Sequence, residues 1–207
     1  MKRIGILGGS FNPIHLGHLF IGVSAAEAFS LDRGLLMPCT VSPFKVGEAG
    51  LLSGEERLRL VEAAIRGDSL FQPCDIELRR GGVSYAVDSV RTLCGQDPDA
   101  RYFFIIGMDS LLGLSRWHEV NELLSLCEII TVARPGTPLP EVGELGFPVE
   151  TAQKLLKNVI QGRLCDISSS EIRRRIAEGR SIRYLVPDAV EKEIRAKGYY
   201  AAAPLKG

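Results

Sequence analysis

The chain has no surplus of either charge: 25 Lys and Arg face 25 Asp and Glu over 207 residues. Proteins that hold nucleic acid or anionic lipid through their overall field carry a basic excess, so neither is an expected partner. Any phosphate ligand must therefore be held by a local site. Long apolar runs are missing too. Tyr102 to Met108 is of strand length, far short of the ~18 residues a bilayer span needs. Met1-Lys2-Arg3 starts like the charged end of a secretion signal, but Gly8-Gly9-Ser10, Asn12 and His15 break the apolar stretch behind it. The five cysteines are odd in number and include no C-x-x-C pair, which argues against a disulfide framework and a zinc ribbon. Reduced, mostly buried thiols and a cytoplasmic location are expected. Histidine is scarce, at three residues, and tryptophan occurs once.

The remaining composition, 45% hydrophobic and 24% charged, is that of one globular domain. Short apolar strands alternate with helical spacing. Arg3–Leu7, Gly34–Met37, Leu70–Leu78, Tyr102–Ile106, Glu128–Ala133 and Val159–Cys165 read as strands. Leu16, Leu19, Phe20 and Val23 recur at helical spacing, and Ser53-Gly54-Glu55-Glu56 fits a capping box ahead of Leu58, Val61 and Ile65. Tyr85–Leu93 and Trp117–Leu124 read as helices, and 134–150, rich in Pro and Gly, as a long loop. Two further helices are expected between Ser168 and Lys197, with Pro187 opening the second and Val186, Val190 and Ile194 on its apolar face. This predicts an α/β fold: a Rossmann-like, doubly wound, mainly parallel sheet with a small C-terminal helical part. The domain would run over 1–207, with an α/β core at 1–166 and a helical subregion at 167–207. Ligands of such sheets bind beyond the carboxyl ends of the strands, so chemistry is expected after Leu7, Met37, Ile106 and Ala133.

The densest signal is Gly8-Gly9-Ser10-Phe11-Asn12-Pro13-Ile14-His15-Leu16-Gly17-His18, where the first strand turns into the first helix. Glycines there let backbone approach a ligand, and a helix N-terminus offers N–H groups to phosphate. The spacing is neither G-x-G-x-x-G nor a P-loop. His15 and His18, three apart, can face one anion; a metal reading has too few partners, and no metal ligand is assigned. Ile167-Ser168-Ser169-Ser170-Glu171-Ile172-Arg173 puts hydroxyls and a guanidinium at another helix start, although serines there are also ordinary caps. Gly107-Met108-Asp109 follows the most apolar strand; Asp109 suits ribose hydroxyls or a cap equally well. Trp117 suits a planar ring or the core, and core is the commoner fate.

Together these residues resemble the bacterial nicotinate-nucleotide adenylyltransferases, within the nucleotidyltransferase superfamily marked by H-x-G-H. The likeness runs from Gly8 to His18, through Ser84-Tyr85-Ala86-Val87-Asp88, Phe104–Leu111, Trp117-His118 and Arg134-Pro135-Gly136, to Ile167–Arg173. H-x-G-H alone gives the superfamily; the ordered set is specific to the nicotinate-type enzymes. The resemblance implies an enzyme of NAD biosynthesis. It would join ATP and nicotinate mononucleotide into nicotinate adenine dinucleotide, with Mg2+ carried by ATP and pyrophosphate released. It implies direct in-line attack, with catalysis by positioning and charge neutralisation. His15 and His18 would contact the ATP phosphates, with Lys45 and Arg173 assisting. Gly8, Gly9, Ser10 and Phe11 would line the nucleotide cleft, Gly107 and Asp109 would meet ribose, and Ile167, Ser168 and Ser169 would hold adenosine. Trp117 would stack on the pyridine ring, Tyr85, Ala86 and His118 would receive its carboxylate, and Arg134 would help with the mononucleotide phosphate.

Three positions depart from the family pattern: Phe44 stands where histidine is usual, Ala86 where threonine is common, and Asn12 where aspartate is frequent. The 40–50 loop, with Gly47 and Gly50, is expected to close over ATP. Preference for nicotinamide mononucleotide, or dual use, is the alternative within the class; a noncatalytic nucleotide-binding module and an NAD-dependent oxidoreductase are the rivals outside it. The sequence leaves homo-oligomer formation open.

Overall fold

The computed structural model describes residues 1–41 and 51–201. Among them, six strands form one sheet: β1 (Arg3–Gly9), β2 (Arg33–Pro38), β3 (Phe71–Pro73), β4 (Arg101–Gly107), β5 (Glu128–Ala133) and β6 (Val159–Gln161). Their order is 3-2-1-4-5-6 and every neighbouring pair is parallel. All carboxyl ends therefore lie along one edge. The order reverses between β1 and β4, which opens a crevice there.

The helices are α1 (Leu16–Phe29), α2 (Gly54–Ala64), α3 (Ile76–Arg80), α4 (Ala86–Gln96), α5 (Met108–Gly113), α6 (Val120–Leu126), α7 (Val149–Lys157), α8 (Ser169–Ala177) and α9 (Asp188–Lys197). Alternation along the strands divides the interior in two. Phe103, Ile105, Ile130 and Val132 point to one face and pack with α1, α2, α8 and α9. Ile4, Ile6, Phe104, Ile106 and Ile129 point to the other and pack with α4, α5, α6 and α7. Burial on both faces explains why the strands read as continuous apolar runs.

Several elements differ from their expected form. Leu70–Leu78 is not one strand: β3 stops at Pro73, which has no N–H to continue a ladder, and Ile76 to Arg80 is helical, with Arg79 paired to Asp75 at 3.0 Å. Trp117 follows a short 3-10 turn (Leu114–Arg116), and the helix begins only at Val120. The last strand ends at Gln161 rather than Cys165. Segment 134–150 holds a 3-10 turn at Val142–Leu145 and leads into α7, whose Ala152 and Leu155 are buried. In α1 the buried residues are Gly17, Gly22, Ala25 and Ala26, not the large apolar ones, and Phe20 is exposed. A Cβ on Gly22 would lie 2.7 Å from the Phe71 ring, so close approach to that ring selects the small face. The capping box before α2 forms as expected: Glu56 N–H donates to Ser53 Oγ at 3.2 Å, and Ser53 N–H donates to Glu56 Oε2 at 2.8 Å. Leu58 is only half-buried there, and Leu60 takes its place in the core beside Val61 and Ile65.

Candidate active site

The loop after β1 turns sharply at Phe11, whose φ is 45°, and delivers His15 as the N-cap of α1. The His15 ring is buried at 5% exposure and stacks on His18, with centroids 3.7 Å apart and planes at 26°. Phe11 meets His18 edge-on at 4.9 Å. Burial pushes the His15 pKa down to about 4, so this imidazole is neutral near pH 7. The His15 backbone N–H donates to His18 Nδ1 at 3.2 Å. With Nδ1 accepting, a neutral His18 carries its proton on Nε2, at the other side of the ring. Gly17 is the condition for this stack. A Cβ there would lie 3.0 Å from His15 Nδ1 and 3.1 Å from His15 Cε1.

Other elements hold the loop from behind. Arg57 of α2 is 1% exposed; it donates to Ser10 O at 2.7 Å, Leu52 O at 3.1 Å and Thr40 O at 3.4 Å. From α8, Ser169 Oγ donates to Pro13 O at 2.8 Å and Arg173 Nη1 to Asn12 O at 2.9 Å. The Asn12 side-chain oxygen accepts from Leu52 N–H at 3.2 Å and from the Tyr200 hydroxyl at 2.7 Å. No sequence motif marks Arg57 or Tyr200.

In front of the loop is a cavity of about 520 Å3, bounded by the carboxyl ends of β1, β4, β5 and β6 and the N-termini of α1 and α8. It gathers eleven of the expected residues: Ser10, Phe11, His15, His18, Gly107, Asp109, Arg134, Ile167, Ser168, Ser169 and Arg173. It also takes in Asn12, Arg163 and Cys165, which were not expected. Arg163 sits just beyond β6 as Arg134 sits just beyond β5; the strand expected to run on to Cys165 hid it, because the ladder stops at Gln161. Ser168 caps α8 by accepting from Glu171 N–H at 3.1 Å. Three arginines, two helix N-termini and one carboxylate make a surface suited to an anion. Gly8 and Gly9 do not line this cavity. An added Cβ on Gly9 would crowd the Phe11 ring at 3.3 Å, whereas one on Gly8 would meet Phe104 at an ordinary 3.4 Å. Lys45, with the rest of 42–50, lies outside the described residues.

Tyr85, Ala86, Trp117 and His118 form a second group, also apart from the cavity lining. Val83 pairs with Val41, and Thr40 N–H donates to Ser84 Oγ at 2.9 Å, which holds the start of α4 beyond the carboxyl end of β2. The Tyr85 and His118 rings lie 4.3 Å apart. Trp117 is half-buried and meets Phe104 edge-on at 6.0 Å. Arg91 of α4 donates to Glu119 at 2.9 Å and to Glu122 at 2.8 Å, tying α4 to the start of α6. Beneath lies Glu77, whose carboxylate accepts from Ser89 Oγ at 2.6 Å and whose pKa burial pushes up. This group belongs to the helical layer opposite α1 and α8.

Residues 6–175 match the Cytidylyltransferase-like family model. Proteins of Geobacter sp. (strain M21) and Halalkalibacterium halodurans, each named "Probable nicotinate-nucleotide adenylyltransferase", are both 40% identical to this chain; the likeness covers 97% of it and 99% and 92% of theirs. The chain belongs to the nicotinate-nucleotide adenylyltransferase family. The fold is shared with Plasmodium falciparum nicotinic acid mononucleotide adenylyltransferase complexed with APC (TM-score 0.72, 17% identity, covering 97% of this chain and 98% of that one) and complexed with NaAD (TM-score 0.73, 18% identity, the same coverage). Within the nicotinate-nucleotide adenylyltransferase family, this chain is a nucleotidyltransferase built on an α/β sheet, and no described helix is long and apolar enough to cross a membrane.

Proposed function

We infer that the chain transfers the adenylyl group of ATP to nicotinate mononucleotide, giving nicotinate adenine dinucleotide and pyrophosphate. A mononucleotide phosphate oxygen forms a bond to the α-phosphorus as the bond from that phosphorus to the bridging oxygen of pyrophosphate breaks. The nucleophile is already ionised near neutral pH, so no strong base is required; the protein's task is alignment and charge neutralisation. The observation that carries the reading is the stacked His15–His18 pair at the start of α1, with the His18 proton set on Nε2. That N–H is suited to an oxygen on the reacting phosphorus, and the neutral His15 supports it from below. Arg173, with the N-terminus of α8, suits the leaving pyrophosphate; Asp109 and Gly107 suit ribose, and Ile167 to Ser169 the adenosine.

In the opposite layer, Trp117 would stack on the pyridine ring, with Tyr85, Ala86 and His118 around its carboxylate, while Arg134, in the cavity, would assist at the phosphate. Lys45 is proposed to approach the phosphates. The cavity's donor set of arginines, imidazoles and hydroxyls with one carboxylate suits a polyphosphate carrying its own cation. Mg2+, held mainly by phosphate oxygens and water, would supply further neutralisation of phosphate charge when bound. The whole chain is read as one cytoplasmic domain, with 167–207 as its helical subregion; light scattering tests for a homo-oligomer.

The deciding experiment measures pyrophosphate release from purified protein with ATP and Mg2+, given either nicotinate or nicotinamide mononucleotide. A preference for the acid of about a hundredfold, or ~2.7 kcal/mol in transition-state binding, is expected. Equal rates would make the enzyme dual-specific, and no release with either would refute the assignment of acceptor.

A further inference from the structure

We propose that Tyr200 is a positioning residue for the nucleotide half of the reaction, acting through Asn12 on the place of the His15–His18 pair. The inference rests on the reading of those histidines as the phosphate-contacting pair. Asn12 stands three residues before His15 and is 3% exposed. Three separate parts of the chain converge on it: the approach to α2 through Leu52 N–H, α8 through Arg173, and the C-terminal turn through the Tyr200 hydroxyl. The 2.7 Å bond from Tyr200 is the shortest of the three and spans 188 positions of sequence.

The turn that carries Tyr200 is built rather than trailing. Gly198 ends α9 in the left-handed conformation, and Tyr199 N–H returns to Ile194 O at 3.1 Å. Tyr199 packs against the core shared with α2, and its hydroxyl bears on the charges of Glu56 and Arg59 there. Tyr200 itself takes a φ of 62°, a conformation that tyrosine adopts only when its surroundings impose it. What that conformation achieves is to send the hydroxyl inward to the loop. Ring packing alone would need no such bond. The hydroxyl fixes the side chain of Asn12, and Arg173 fixes its carbonyl, so both ends of one residue are held before the chain enters α1.

The test is Tyr200→Phe in the full chain, which removes one hydroxyl and keeps the ring. A displacement of a few tenths of an ångström at the histidines is expected to lower kcat about tenfold. The KM for nicotinate mononucleotide, whose ring is proposed to bind in the opposite layer, should stay within about twofold. In the His18 imidazole NMR spectrum a shift is expected, with His118 unchanged. In an Asn12→Ala background, Tyr200→Phe should cost nothing further, because the two residues act in series. Should Asn12→Ala fail to fold, Asn12→Asp keeps an acceptor, and the tenfold cost of Tyr200→Phe should reappear in it. A folded Tyr200→Phe enzyme with the original kcat and an unmoved His18 signal would overturn the proposal, as would an undiminished effect in Asn12→Ala. If the unmodified protein releases no pyrophosphate with either mononucleotide, the acceptor assignment fails, and the His18 signal still decides the role of Tyr200. A chain ending at Ala201 should match the full one in kcat; loss of activity there would place the effect in 202–207 and refute the role given to Tyr200.

Discussion

A methyl group placed on Gly17 would arrive 3.0 Å from Nδ1 and 3.1 Å from Cε1 of His15, with Cys165 Sγ at 3.6 Å. The imidazole must give by a few tenths of an ångström, and it has little room, being buried and stacked on His18 at 3.7 Å. The consequences for stability and rate separate. Exchange of glycine for alanine in a helix gains up to about 1 kcal/mol, and an off-rotamer imidazole costs about 0.5–1.5 kcal/mol. The net change is within about 1 kcal/mol, or roughly 2–4 °C in Tm for a chain of this size. Turnover is less forgiving. A misplacement of about 1 Å costs on the order of a hundredfold in rate, so about half of that costs roughly tenfold. Gly17→Ala is therefore expected to melt near the original temperature while kcat falls about tenfold. Calorimetry and a pyrophosphate-release assay on one preparation check both numbers. An unchanged kcat would show that the His15–His18 stack does not set the rate, and the reasoning from its geometry would fall.

Other perturbations probe separate parts. His18→Ala removes a proposed phosphate contact and should lower kcat by about 10²–10³ while ATP binding, followed by calorimetric titration, persists. Trp117→Ala should raise the KM for the pyridine nucleotide and leave that for ATP nearly unchanged; an unchanged pyridine KM in steady-state kinetics would return Trp117 to a packing role. Arg57→Met leaves the carbonyls of Ser10, Leu52 and Thr40 without their buried donor, which should cost about 2–4 kcal/mol, read as denaturant midpoint. Acid should weaken the fold through His15. The unfolded chain binds a proton there below its ordinary value of 6.5, whereas the folded chain resists it until about pH 4. The contribution is whole above pH 6.5 and is lost as pH falls toward 4, reaching roughly 2–3 kcal/mol at pH 4.5. Comparison of His15→Asn with the unsubstituted protein at pH 7 and 4.5 isolates it.

The parts of the site legible in sequence are those where one short segment carries both the geometry and the chemistry. His15, Gly17 and His18 lie within four residues, and Ser168 to Arg173 within one helix start. Their partners behind the loop are not legible because nothing local distinguishes them. Arg57 has the spacing of any helix residue, and its burial is decided by carbonyls contributed from Ser10 and Thr40. Tyr200 is visible only once α9 has packed on α2. The misread elements have similar causes. Apolar content in Leu70–Leu78 does not discriminate strand from helix, and Pro73 decides. The first helix packs through glycine and alanine, so the spacing of its large apolar residues marks a different face from the buried one. Helix α7 was hidden by the Pro and Gly of the segment leading to it. Asp109, expected at a strand end, and Arg134, implied by the resemblance, both line the cavity because parallel strands point their following residues to one edge, whichever chain is written on them.

The two halves of the interior have a consequence for how such an enzyme can change over time. Most residues proposed for the ATP phosphates and adenosine hang from α1 and α8, rooted in one core; those proposed for the pyridine ring hang from α4 and the turn before α6, rooted in the other, while Gly107, Asp109 and Arg134 stand at the strand ends between them. The sheet between them is the shared wall. Drift in the second core can retune which acceptor is accepted while the machinery of adenylyl transfer stays under separate selection. Acceptor choice is then a nearly modular trait, and a designer seeking a new acceptor would redesign one layer and leave the other alone.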